Sequence, residues 1–189
     1  GVVRGRRQAS PLGPASGSRA PGARIMIARP LLAFWLTLGV ALVLTAVALP
    51  ALAPPAFGWF RPQWAVLVLL FWVMTAPEAV GMVSAWVAGL LVDSLTGSLL
   101  GQHALTYVLI AWAGLSLHQR LRMYSGVQQT LIVFLTVLGA EVLVALLLRL
   151  VRGQALSFAM LWTPVVTALC WPLLYGALAP LRRWLGPSL

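Results

Sequence analysis

Acidic residues are almost missing from this chain of 189: Glu78, Asp93 and Glu141 are its only carboxylate side chains. Lysine is absent altogether, so all thirteen basic residues are arginines. A single cysteine, Cys170, excludes an intrachain disulfide. It sits in an apolar run, where a packed, inert thiol is expected. With two histidines and one cysteine, no Cys/His cluster can form, and no metal is expected. No Gly-x-Ser-x-Gly elbow, no Gly-rich phosphate loop with lysine and no pair of catalytic acids occurs. The sequence therefore points away from an enzyme, and no catalytic residue or cofactor is expected.

What is present is apolar. The chain is 61% hydrophobic and only 8% charged, whereas a soluble domain is about 45–50% apolar and about 25% charged. So few charges cannot dress the surface of so much apolar mass in water, which makes this a multi-spanning membrane protein. The net charge of +10 could suggest nucleic acid. The placement of the arginines argues otherwise. Six (Arg4, Arg6, Arg7, Arg19, Arg24 and Arg29) precede the first apolar run, and the rest lie at or near the ends of later ones, as basic charge is distributed around a bilayer.

Residues 1–25 are rich in Gly, Pro, Ser, Ala and Arg and carry no apolar periodicity, so a disordered basic tail is expected. Met26 opens a more typical start, which makes residues 1–25 either an upstream extension or a tail lying on anionic lipid. Residues 26–189 read as one polytopic domain. The first span is Leu31 to Leu52, long enough for a hydrocarbon core of about 30 Å. Phe57, Trp59 and Phe60 form an interfacial set after it. Two short runs follow, 62–75 and 80–92. They are either two short crossings, the favoured reading, or one re-entrant pair. Later spans are expected at 102–117, 127–150 and 161–181, the last bent by Pro164 and Pro172.

Six spans with both termini cytoplasmic put ten arginines inside and three (Arg61, Arg149 and Arg152) outside, as the positive-inside rule requires. The inner set includes a basic loop with Arg120 and Arg122, expected to meet anionic lipid or a cytoplasmic partner.

Gly89, Asp93, Gly97 and Gly101 recur every four residues, which would place them near one side of a helix for close packing against a partner. The topology also makes Gly97 and Gly101 the turn into the fourth span. Asp93 is either a partner contact or polar pocket, or a helix-end acid bonded to the following turn. By depth, Asp93, His103 and Glu141 collect on the outer side and are expected to form one buried polar cluster. His103 and His118 lie at opposite ends of one span, roughly 22 Å apart at 1.5 Å per residue. Trp171-Pro172 falls mid-span in the sixth helix, where a bend beside a bulky ring forms either a groove for another helix or simple core packing.

The run Gly-Leu-Leu-Val-Asp-Ser-Leu-Thr-Gly-Ser-Leu-Leu-Gly-Gln-His-Ala-Leu (89–105) resembles the signature of the rod shape-determining protein MreD family. His-Gln-Arg-Leu-Arg-Met-Tyr (118–124), Gln128-Gln129 and the late Trp171-Pro172-Leu173-Leu174 follow in matching order, and the resemblance covers about residues 26–186. It implies a non-enzymatic inner-membrane subunit of the cell-wall elongation complex. The implied partners are MreC, the actin-like MreB, and RodA with its penicillin-binding transpeptidase, with no nucleic acid. It also implies a fold similar to the substrate-binding subunits of energy-coupling-factor transporters. The alternative is a small-molecule-binding transporter subunit, with Asp93, His103 and Glu141 lining its pocket.

Overall fold

Every regular element is helical among the described residues, which in this computed structural model are 21–51, 62–121, 124–153 and 161–185. Seven helices are found there: α1 (Pro21–Ala51), α2 (Trp64–Thr75), α3 (Met82–Thr96), α4 (Gln102–Leu121), α5 (Gly126–Arg152), α6 (Trp162–Leu169) and α7 (Trp171–Leu185). The helix α1 begins at Pro21, so residues 21–25 of the expected disordered tail are helical. Residues 1–20 and the aromatic set Phe57, Trp59 and Phe60 lie outside the described residues.

The molecule is built around α2. Its sequence, Trp-Ala-Val-Leu-Val-Leu-Leu-Phe-Trp-Val-Met-Thr, is apolar on every side, and a helix of that kind must be covered all round. Every residue from Ala65 to Thr75 is buried, with α1, α4 and α7 packed around it. It ends at Ala76 because Pro77 follows, and the residue before a proline is driven out of helical geometry. Phe34, Leu38 and Ala41 are the buried stripe of α1, spaced as one helix face requires. On the core side of α4, Gly114 lets Val73 approach to 3.0 Å of where a Cβ would stand. A chain of aromatic rings crosses the same layer: Trp72 meets Phe71 at 5.6 Å, Phe71 meets Tyr175 at 5.7 Å, and Tyr175 meets Trp171 at 5.8 Å.

The helix α5 buries Val133, Val137, Ala140 and Val144 and turns Leu131, Leu135, Leu143 and Leu150 outward. Its start is held by Ser125 and Gln128, the side-chain oxygen of Gln128 accepting the Ser125 N–H at 3.1 Å. Gly153 ends it in a left-handed conformation, φ +67°. Apolar side chains face outward on most helices, which suits hydrocarbon surroundings and would be unusual in water.

Among the described residues two helices are long and apolar enough to cross a membrane, over Ala28–Thr45 and Gly126–Val151. The pair α6–α7, bent by 42°, makes a third if it is counted as one span. The helices α2 and α3, at 12 and 15 residues, are shorter than a standard upright crossing of about 17–25. The bend in the last span was expected from Pro164 and Pro172. The break falls at Cys170, because Pro172 has no N–H to continue the ladder through Ala168, while Pro164 sits in the first turn of α6 where its missing donor is harmless.

Candidate functional site: two polar junctions between helices

A helix begins with backbone N–H groups that have no partner of their own. The start of α4 follows Gly101, which has no side chain with which to cap it. Asp93, near the end of α3, fills that role from across the turn. Its Oδ2 accepts the N–H of Gly101 at 2.8 Å and of Ala104 at 3.4 Å, and its Oδ1 accepts the N–H of His103 at 2.9 Å. The Gln102 N–H goes to the Leu99 carbonyl at 2.9 Å. The first turn of α4 is thereby satisfied, largely by a carboxylate that is itself 1% exposed. A negative charge at a helix N-terminus also meets the positive end of the helix dipole.

Two side chains complete this junction. The Ser98 hydroxyl donates to Asp93 Oδ1 at 2.7 Å and lies 3.1 Å from His103 Nδ1. His103 Nδ1 is 2.8 Å from the same carboxylate oxygen. With backbone donors on both of its oxygens Asp93 acts as an acceptor only, so the ring nitrogen facing it carries the proton. Ser98, His103 and Asp93 are the residue types of a hydrolytic triad, but the geometry is different. A triad needs the serine at one ring nitrogen and the acid at the other. Here both crowd Nδ1, so the ring cannot take a proton from Ser98 while Asp93 steadies its far side. The arrangement tethers helices and does not activate a nucleophile.

The backbone explains why the turn is so tight. Gly97 (φ +64°) ends α3 in the left-handed region, and Gly101 (φ +101°) turns the chain into α4. The expectation that Gly89, Asp93, Gly97 and Gly101 share one helix face is corrected on this point. The helix stops at Thr96, so only Gly89 and Asp93 lie on it, and Gly97 and Gly101 form the turn into α4, as the topology led one to expect. One turn before Asp93, a Cβ on Gly89 would stand 2.6 Å from the Ala104 nitrogen and 2.8 Å from the His103 carbonyl carbon. Gly89 therefore lets α3 and α4 cross almost backbone to backbone, which brings Asp93 within reach of its donors.

Glu141 belongs to a second junction. Its Oε1 accepts from Gln63 Nε2 at 2.5 Å, and the Gln63 backbone N–H donates to the Thr167 hydroxyl at 3.1 Å. Thr167 is fully buried. The start of α2, the middle of α5 and α6 are thus joined through Gln63. Asp93 and His103 come together, then, while Glu141 joins a separate set. Tyr107, buried on α4, packs edge-on against His103 at 6.4 Å.

Trp171 is 1% exposed and points into the core, so of the two readings of Trp171-Pro172 its ring takes core packing and not the groove for another helix. Pro172 faces outward. The side chain of Arg120 and all of Arg122 lie outside the described residues. Sequence reasoning missed Gln63, Ser98 and Thr167. Gln63 gave a faint signal as the only amide flanking an unbroken apolar run, whereas Ser98 and Thr167 gave none, since small hydroxyl residues are common in membrane helices.

A family model for the rod shape-determining protein MreD matches residues 28–179. The chain is 31% identical over 153 residues to the rod shape-determining protein MreD of Haemophilus influenzae, a match covering 79% of this chain and 92% of that protein. No solved structure gives a significant match.

Proposed function

From the premise that this chain belongs to the rod shape-determining protein MreD family, we propose that it is a non-enzymatic, six-span subunit of the bacterial inner membrane that maintains rod shape by binding MreC. Through MreC it joins the elongation assembly of MreB, RodA and the penicillin-binding transpeptidase. Family membership supports the role in shape determination, and apolar helices long enough to cross a bilayer fit a membrane setting.

The observation that carries the non-enzymatic reading is the full commitment of Asp93. The one carboxylate surrounded by Ser and His holds the first turn of α4 and has no access to a substrate. The same observation weighs against a transporter pocket lined by Asp93, His103 and Glu141, because two of these residues tie α3 to α4 and the third ties α5 to α2.

Six crossings with both termini inside are supported by the opposite ends of the chain. Arg29, near the start of α1, and Trp184 and Leu185, at the end of α7, line one hollow. Their closeness supports an even number of spans, with the start of α1 and the end of α7 on one side.

The test is co-expression with MreC, solubilisation in mild detergent and capture through a tag on this chain. MreC should be retained, and photo-cross-linkers at the outward positions Leu135 and Leu143 of α5 should report which face it uses. Correct membrane insertion with no MreC captured, together with failure to restore rod shape to cells lacking their own family member, would sink the proposal.

A further inference from the structure

Helices α1 and α7 both pack on α2 and hardly touch each other, which leaves a furrow between them. Its two hollows, of about 430 and 390 Å³, share the lining residues Leu36 and Thr37 and so adjoin along α1. One end is lined by Val40, Leu44, Val68 and Leu173. The other end opens at Arg29, Leu181 and Trp184. Thr37 lines both hollows, and its hydroxyl is already used: it donates to the Ala33 carbonyl at 2.8 Å and accepts from Trp72 Nε1 at 2.9 Å. The apolar end therefore offers a ligand only hydrocarbon contact.

The mouth is different. Arg29, which is exposed, lines it together with Trp184 of α7, which is 83% exposed, while Arg182 and Arg183 lie in the same turn of α7 but do not line the hollow. None of the three arginines forms an ion pair among the described residues. Of the chain's three acids, Asp93 is paired with His103, Glu141 holds Gln63, and Glu78 lies in the turn after α2. Arg29, with no ion-pair partner among the described residues, thus stands at the mouth of a slot that accepts only hydrocarbon.

We propose that this furrow binds one anionic phospholipid, its phosphate at Arg29 and one acyl chain laid between α1 and α7. Charge complementarity at one end and a dry slot at the other are the two halves of such a molecule. Trp184 sits where an amphipathic ring marks the headgroup level. A transmembrane helix fits less well. An apolar helix would bring no negative charge to the exposed Arg29 at the mouth. The proposal rests on the membrane reading above but on no protein partner.

The experiment uses the full chain purified in a neutral detergent and offered dioleoylphosphatidylglycerol or dioleoylphosphatidylcholine, with retention measured by native mass spectrometry. One phosphatidylglycerol per chain should be held at least tenfold more strongly than phosphatidylcholine. Arg29→Ala should bring the two lipids level. Ala177→Phe, which fills the slot from an outward-facing position, should weaken both lipids with helical circular dichroism unchanged. Arg29→Lys should keep most of the preference. Equal retention of the two lipids by the unmodified chain overturns the proposal, as does a preference that survives Arg29→Ala. Loss of a co-purifying membrane protein in Ala177→Phe with lipid retention unchanged also overturns it, because the furrow would then be a helix dock. MreC capture measured on the same preparations separates the two readings, since its absence leaves the lipid result standing.

Discussion

Replacing Asp93 by asparagine changes no volume and leaves one oxygen in place, yet it should destabilise the protein clearly. Both carboxylate oxygens of Asp93 receive backbone N–H groups: Oδ2 from Gly101 and Ala104, Oδ1 from His103. Either orientation of the amide therefore turns an NH₂ toward at least one backbone donor. The new residue also loses the charge that meets the helix dipole of α4 and the protonated face of His103. Lost capping is worth about 0.5–2 kcal/mol, and a buried donor left unpaired about 1–3 kcal/mol. The side chain of His103 is 27% exposed, so water relieves part of the loss at the junction's edge. The expected cost of Asp93→Asn is about 2–3 kcal/mol and that of Asp93→Ala about 3–5 kcal/mol, the range for removing one partner of a buried ionic pair. Reversible unfolding in mixed micelles, followed by far-ultraviolet circular dichroism, measures both. His103→Gln, which keeps the backbone donor and loses only the ring, should cost much less than either. An Asp93→Asn variant within about 0.5 kcal/mol of the unmodified protein, the size of an ordinary surface change, would refute the capping argument.

Three further outcomes follow from the same geometry. Gly89→Ala should destabilise by about 1–3 kcal/mol, as overpacking does, whereas Gly39→Ala, where an added Cβ meets nothing within 4 Å, should be neutral or better; the two are compared by unfolding in the same micelles. Gly97→Ala should cost about 1–2 kcal/mol through its left-handed backbone, and Gly97→Asn should recover a good part of that, a pattern that a packing role for Gly97 would not give. Glu141→Leu should strand the Gln63 amide and cost about 1–3 kcal/mol. The double variant Gln63→Leu, Glu141→Leu should recover part of the loss, and simple additivity in that cycle would show that the two side chains do not interact.

The membrane class was legible because composition suffices for it: three acids and thirteen arginines cannot cover this much apolar mass in water. The long helices α1 and α5 were legible for the same reason, since an apolar run of their length has few other uses. Boundaries were less so. The start of α1 at Pro21 and the halt of the last span at Cys170 depend on where backbone donors find acceptors, which composition does not record. The stretch 89–105 was marked out by its glycines and its acid, but one period of four residues ran through positions that do two different jobs. Gly89 is a packing residue on a helix, and Gly97 and Gly101 are turn residues with positive φ. The spacing alone cannot separate them, because it continues past the point where the helix ends.

By itself, the sequence determined that the chain is apolar and helical, that its arginines gather at the ends of its runs, and that its acids are scarce enough for each to matter. These are local or compositional properties, fixed by transfer free energies and by the period of a helix. Only the tertiary structure decided what each acid does. Asp93 and Glu141 looked equivalent by depth, and hydrogen bonds span about 3 Å, so depth alone could not pair them. Asp93 meets α4 because Gly89 lets two backbones approach, and Glu141 meets Gln63 because the start of α2 packs beside α5, 78 residues away along the chain. The furrow between α1 and α7 has the same origin, since its walls are set by how two distant helices lean on a third.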